Sequence, residues 1–287
     1  MSFGGVLIKT GFVGAGKVGF SLGRYFVEHG IEVIGYSSRN MESAREAALF
    51  TKTKAYSDLE NLIDESDILF LTVTDGSIEE VWNRIKAFTL KGKMICHCSG
   101  SLSSSIFSGI DECEAYAYSV HPLYAISDKH SSYQHLNDAM FTIEGSIKHI
   151  KQMDAFIKKL GNKTQIIDTL SKMKYHAAAV MVSNQVIALA EIGIKLLESC
   201  GISETDARTM LKSLMLGNVG NMVTLGTKEA LTGPVERNDI ETIKKHLECL
   251  SGRDLKIYVE LSKVLLEIAK SKHPDKNFME LEKELDC

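Results

Sequence analysis

Residues 11–19 read Gly-Phe-Val-Gly-Ala-Gly-Lys-Val-Gly, and the reading of this stretch decides the fold. A β-rich run from Val6 to Val13 leads into it. A helical segment leaves it with Val18, Leu22, Phe26 and Val27 along one apolar stripe, and Gly30 is placed to stop that helix. G-x-G-x-x-G alone is a weak signal, because glycines recur in many turns. Here a strand precedes it, a helix follows, and a second strand, Ile31 to Tyr36, begins about a dozen residues past the last glycine. In that context Gly14 permits a tight turn, Gly16 lets a diphosphate approach the backbone, and Gly19 lets the helix pack closely on the strand. Gly14, Ala15, Gly16, Lys17, Val18 and Gly19 are therefore the expected cradle of a dinucleotide, with the helix amino end supplying N–H donors.

Working outward, Asp67 to Val73 is nearly all apolar, as expected of a central parallel strand covered on both faces. Met94 to Cys98 and Tyr116 to Val120 read as further strands. Met140 to Ile143 and Thr164 to Ile167 flank a helix around His149 to Leu160. The alternation predicts an α/β fold, a doubly wound parallel Rossmann sheet, over residues 1–168. From about Ser171 strand-like runs vanish. Ser171 to Cys200 reads as one helix of about 45 Å closed by Gly201. Residues 169–287 are thus expected to form an all-α domain for substrate binding or dimerisation, with the charged tail from Pro274 as a peripheral helix.

The 287 residues are 44% hydrophobic and 24% charged, with net charge −4, ordinary globular composition that argues against nucleic acid or an anionic membrane as partner. No apolar run is expected to approach the ~18 residues that span a bilayer. The start of the chain lacks an export pattern, and the protein is expected in the cytoplasm. Cys96 and Cys98 form a C-x-C with no second pair nearby, which is not metal-ligand spacing, so reduced thiols and no metal are expected.

The end of the second strand chooses the cofactor. Tyr36-Ser37-Ser38-Arg39-Asn40 offers two hydroxyls and a guanidinium where an NAD site carries a carboxylate, which suits the 2′-phosphate of NADP(H). Thr74 and Ser99 follow the next strands and are expected to border the ribose and nicotinamide. Reduction of a carbonyl also needs an acid within hydrogen-bond reach of the oxygen. His121, before Pro122 at the sheet edge, is one candidate. Lys172, His176 and Ser183 fall near one stripe of the long helix, with Asn184 bordering it. His176 and Asn184 lie about 12 Å apart along the axis and cannot hold the same oxygen. In Leu231-Thr232-Gly233-Pro234-Val235-Glu236-Arg237-Asn238-Asp239, a backbone break meets a fixed charge. Thr232 and Arg237 there could bind a substrate carboxylate, while Asp239 could simply cap a helix.

GFVGAGKVG, SVHPL, KYHAAAVMVSN and ALTGPVERNDIETIKKHL together resemble the Rossmann-like proteins with a DUF2520 carboxyl domain, over about residues 7–270. The fold is similar to that of 6-phosphogluconate dehydrogenase-like reductases, and some members of the group are regarded as an alternative, PanG-type ketopantoate reductase of pantothenate and coenzyme A synthesis. The resemblance implies NADPH-dependent reduction of 2-dehydropantoate, a small 2-oxo acid, to pantoate. The acid is expected to enter the cleft between the halves; monomer and homodimer are both open, and pairing through the long helix favours the homodimer. The better-known ketopantoate reductases carry a lysine followed at four and eight residues by asparagines. Counting back from Asn184, Val180 and His176 occupy those positions, so the acid is His176, His121, or Lys172 or Lys174 from the preceding turn. His121-Pro122 matches a prephenate dehydrogenase feature. Reduction of pyrroline-5-carboxylate, prephenate dehydrogenase chemistry, and an NADP-binding sensor or scaffold are the competing readings.

Overall fold

The computed structural model describes residues 2–3 and 6–286 and divides into two compact units, Met1–Met181 and Val182–Cys287. In the first, Val6–Leu7 pairs antiparallel with Ser2–Phe3, so the expected opening strand is cut and the main sheet starts only at β1, Lys9–Val13. There follow α1 (Lys17–Glu28), β2 (Glu32–Ser37), α2 (Met41–Thr51), β3 (Lys54–Ala55), α3 (Leu59–Glu65), β4 (Ile68–Leu71) and α4 (Asp75–Ile85). β5 (Met94–His97), β6 (Tyr116–Leu123), β7 (Met140–Gly145), α5 (Ile150–Lys158), β8 (Thr164–Ile166) and α6 (Lys172–Val182) complete the run.

The strand order is β8-β7-β6-β5-β4-β1-β2-β3. β1 to β6 are mutually parallel in the doubly wound order, with the direction of winding reversing between β1 and β4. β7 runs antiparallel to β6, pairing Thr142 with His121, and carries β8 parallel to itself. The sheet is therefore mostly rather than wholly parallel. His121 and Pro122 lie within β6 and not in a turn after it, because the antiparallel neighbour extends the strand to Leu123.

Alternation along the strands separates two cores. Phe12, Phe70 and Cys96 face the layer that holds Phe20, Phe26 and Phe156, while Leu69, Leu71 and Ile95 face Leu62, Ile78 and Trp82. Phe12 stacks on both Tyr36 and Phe70, with ring centroids 5.3 and 5.5 Å away, which ties β1 to its two neighbours. α1 ends at Glu28 with Gly30 at φ +73°, as its sequence requires.

The expected junction at residue 168 falls earlier than the division at Met181/Val182, because the start of α6 packs on the sheet. The expected single helix from Ser171 to Cys200 is two, α6 and α7 (Asn184–Ser199), broken where Ser183 leaves helical geometry at φ −120°, ψ −78°. An 18-residue window within Thr169–Ser199 reaches a mean hydropathy of 1.6, long and apolar enough by composition to cross a membrane, which corrects the expectation that no run approaches that length.

The second unit continues with α8 (Glu204–Leu225), α9 (Thr227–Ala230), α10 (Pro234–Arg237), α11 (Ile240–Cys249), α12 (Gly252–Lys272) and α13 (Met279–Asp286). α7 and α8 pack on each other and bury little else. Ile187 is 70% and Val223 76% exposed. The tail is not peripheral: Phe278, Leu281 and Leu285 are buried with Leu231, Val235, Ile243 and Leu266 in this unit's core.

The closest constraint on the β1–α1 turn is at Gly19. A Cβ there would stand 2.3 Å from Oγ1 of Thr72 and 2.5 Å from the carbonyl oxygen of Gly14, and that oxygen belongs to backbone. Gly19→Ala is expected to lower unfolding free energy in urea by about 1–3 kcal/mol, as overpacking does.

Candidate active site

At the reversal point, Val13 to Gly16, Ser37 to Asn40, Ser57 to Leu59 and Thr72 to Thr74 line a cleft of about 820 Å³, with Arg84 and Phe88 beyond. The turn fits a dinucleotide diphosphate. α1 starts at Gly16 with no side chain capping its amide groups and no acidic residue in its first turn, so its N–H donors and dipole are open to an anion. Packing explains Gly14, at φ +106° and pressed on the Thr72 carbonyl, and Gly19, but not Gly16. A Cβ at Gly16 would meet nothing nearer than 4.0 Å. The bare position there keeps the cleft open rather than satisfying a neighbour.

At the end of β2, Ser37 is buried, Ser38 half-buried and Arg39 exposed on the cleft wall. Arg39 makes no hydrogen bond or ion pair with the described residues, whereas Asn40 is used, capping α2 through the amide of Glu42. Two carboxylates also line the cleft. Asp58 caps α3, and Glu80 lies on α4; neither ends β2. Thr74 lines the cleft at the start of α4. Ser99 does not line it. Its hydroxyl donates to Asp75 at 2.8 Å and accepts from the amides of Ser101 and Leu102, so it builds its own loop.

Beyond that loop, β5, β6 and α6 bring together a polar cluster. Lys172 is 1% exposed; its ammonium donates to Oγ of Ser119 at 2.7 Å, and that hydroxyl donates to the carbonyl of Ser99 at 3.3 Å. Burial pushes Lys172 down to about 8, against the opposing pull of Glu144, Cys98 and Asp75. Ser119 takes one of its three N–H groups, which leaves donors for an anion or oxygen. Burial, then the neighbouring Lys172 ammonium and the His176 ring, takes His121 down to about 4, so it is neutral at pH 7. Its Nδ1 lies 2.8 Å from the phenol of Tyr175. His176 stands with its ring centroid 6.4 Å from that of His121, and its buried Nδ1 has no hydrogen bond among the described residues. Both rings close on Gly100, where a Cβ would fall 2.5 Å from Nδ1 of His176 and 3.0 Å from Nε2 of His121.

Of the expected residues, Lys172, His176 and His121 thus converge. Lys174 does not: two positions on from Lys172 it is turned about 200° around the helix and is exposed. Asn184, Thr232 and Arg237 belong to the helical unit. Asn184 accepts from Ser183, Thr232 is exposed, and Arg237 is exposed with Asp239 4.0 Å away. Their neighbours are structural. Asp239 caps α11 through Thr242, and Glu236 holds His273 at 2.6 Å. Sequence reasoning missed Ser119, Tyr175, Asp75 and Glu144. Buried Glu144 accepts from the amide and hydroxyl of Ser104 and from Thr169, anchoring the turn that opens α6. The high thiol values of Cys96 and Cys98, the latter about 12, keep both as neutral thiols.

Residues 9–99 match the family of NADP oxidoreductases described as coenzyme F420-dependent, and residues 139–265 match the domain of unknown function DUF2520. Protein TM1727 from Thermotoga maritima is 28% identical, with a TM-score of 0.75 over 92% of this chain and 99% of that one. The candidate NADP oxidoreductase BF3122 from Bacteroides fragilis is 21% identical, with a TM-score of 0.68 over 91% and 98%. A pyrroline-5-carboxylate reductase from Coxiella burnetii shares the fold at 13% identity, with a TM-score of 0.62 over 92% and 97%. No curated protein matches the chain. Because Gly16 is spared by packing, Gly16→Ala is expected to leave urea stability unchanged and to weaken NADPH binding, measured by fluorescence titration, about ten-fold or more. The chain thus carries an NADP oxidoreductase-type Rossmann domain followed by a DUF2520 domain, and the first of these supports NADP(H) as its cofactor.

Proposed function

We propose that the protein reduces a small 2-oxo acid, with 2-dehydropantoate (ketopantoate) as the first candidate and pantoate as product. The observation that carries this reading is the buried ammonium of Lys172 without a carboxylate partner within ion-pair reach among the described residues. Such a site favours an anion and the alkoxide that develops as a carbonyl is reduced, and it disfavours a protonated imine, which would bring a second positive charge beside it.

Gly14 to Gly19 would hold the cofactor diphosphate, and Ser37, Ser38 and Arg39 the 2′-phosphate. Bound NADPH supplies the hydride. Lys172, at about 8, is mostly protonated at neutral pH yet a competent donor, so we assign it the proton that goes to the substrate oxygen. His121 is neutral and serves as an N–H donor polarising that oxygen, with His176 beside it. This moves the acid role from the histidines to Lys172 and leaves no part for Lys174. In the helical unit, Arg237 is the residue best suited to a carboxylate, with Thr232 five positions before it in the chain. Asn184 stays a candidate for a polar substrate group.

The exposed apolar side chains of α7 and α8, Ile187, Leu216 and Val223 among them, support a homodimer formed by a second copy of this chain covering that face. Sedimentation should then give twice the 31.7 kDa chain mass, and Val223→Glu should give the monomer. A monomeric native protein would refute the pairing.

The reductase reading is tested by initial rates of NADPH oxidation with ketopantoate, compared with pyrroline-5-carboxylate, with NADH in place of NADPH, and with NADP plus prephenate. Ketopantoate with NADPH should be fastest. The rate should hold from about pH 5.5 to 7.5 and fall as pH rises through about 8, because Lys172 loses the proton it must donate. Preference for the imine, for NADH, or turnover with none of the substrates would contradict it.

A further inference from the structure

Tyr175 stands between Lys172 and His176 on α6 but belongs to neither the dinucleotide cradle nor the set of charged groups. Its phenol lies 2.8 Å from Nδ1 of His121 and its ring edge faces the imidazole at 81°. Burial raises the phenol above its ordinary value, so it keeps its proton and is able to donate it to Nδ1 of His121. An imidazole whose Nδ1 accepts must carry its proton on Nε2. That Nε2 faces the Gly100 corner, as does the unpartnered Nδ1 of His176. His121 is otherwise surrounded by Lys172 and His176 of α6, Asp75 of α4 and His97 of β5. Among the described residues no hydrogen bond reaches its Nε2, so nothing else there decides where the ring proton sits.

We propose that Tyr175 is a positioning residue whose phenol, by donating to Nδ1 of His121, fixes the tautomer that presents Nε2–H beside Nδ1 of His176 to a substrate oxygen. The inference rests on reading this cluster as the reducing site. It adds that the group recognised there is an oxygen with a lone pair. A carbonyl oxygen accepts from Nε2–H, and the hydroxyl of the product can also donate to an unprotonated Nδ1 of His176. Without the phenol, His121 is free to place its proton on Nδ1, and Nε2 then repels the same oxygen.

The test reads the tautomer directly. Long-range proton–nitrogen NMR on the full-length protein with labelled histidine, with His121 assigned through its loss in His121→Gln, should show a protonated Nε2 and an unprotonated Nδ1. In Tyr175→Phe, the two tautomers should mix and kcat with the best substrate should fall about ten-fold or more, while NADPH affinity is unchanged. A native His121 protonated on Nδ1 overturns the proposal, as does an unaltered tautomer and unaltered kcat in the variant. If no substrate is turned over, the reductase reading fails on its own, and the tautomer of native His121 still decides the role of Tyr175. That native measurement needs no variant to fold.

Discussion

The contact between Gly19 on the first helix and Thr72 after the fourth strand sets the geometry of the site. Thr72 donates its hydroxyl to the carbonyl of Gly14 at 2.8 Å, and α1 lies so close to it that no side chain fits at position 19. This draws the start of α1 over the reversal point of the sheet with its amides uncapped, and the ends of β1, β2 and β4 then line one cleft. Since β5 and β6 follow β4 in the sheet, the residues after them must fall on the far side of the same strand ends. A dinucleotide laid on the turn spans from the Ser37–Arg39 wall towards those strands.

The second requirement is electrostatic. An ammonium as buried as Lys172 is costly unless something holds it, and here the support is polar but uncharged at close range. Ser119 accepts from it and donates a hydrogen bond to the Ser99 carbonyl, while Glu144 fixes the turn before it from a distance. That leaves the charge unneutralised and its pKa close to the pH of work. His97 shows the contrast. It is equally buried and held at about 4, but its Nδ1 accepts from the Ser99 amide and its Nε2 donates to the Ser103 carbonyl, so both nitrogens are spent on the loop. A buried polar residue with capacity to spare is a different object from one fully satisfied by its surroundings.

Much of this was legible in the residues. The glycine turn, the apolar strands and the Ser37-Ser38-Arg39 corner are local patterns, and they stand where their spacing put them. The elements that escaped depend on pairing across the chain. Nothing near Tyr116 announces that β7 will run antiparallel and carry His121 into the strand. On α6 the apolar residues surround the helix, so its phase could not be set, and Lys172 could not be told from Lys174 until the sheet was seen to meet one face. Tyr175 could have been found from its spacing, three residues past Lys172 and one before His176. Ser119 and Glu144 are distant in sequence from the lysine they serve, and only the fold unites them. The break falls at Ser183-Asn184-Gln185 inside an otherwise apolar stretch and carries neither glycine nor proline to mark it.

A crystal structure of the NADPH complex is the most direct test of the whole account. The account predicts a diphosphate on the amides of Gly14 to Gly19, a 2′-phosphate against Arg39, and a nicotinamide ring within van der Waals reach of the Lys172–Ser119 pair and His121. A nicotinamide directed away from Lys172, or a cofactor bound elsewhere than on the glycine turn, would contradict it.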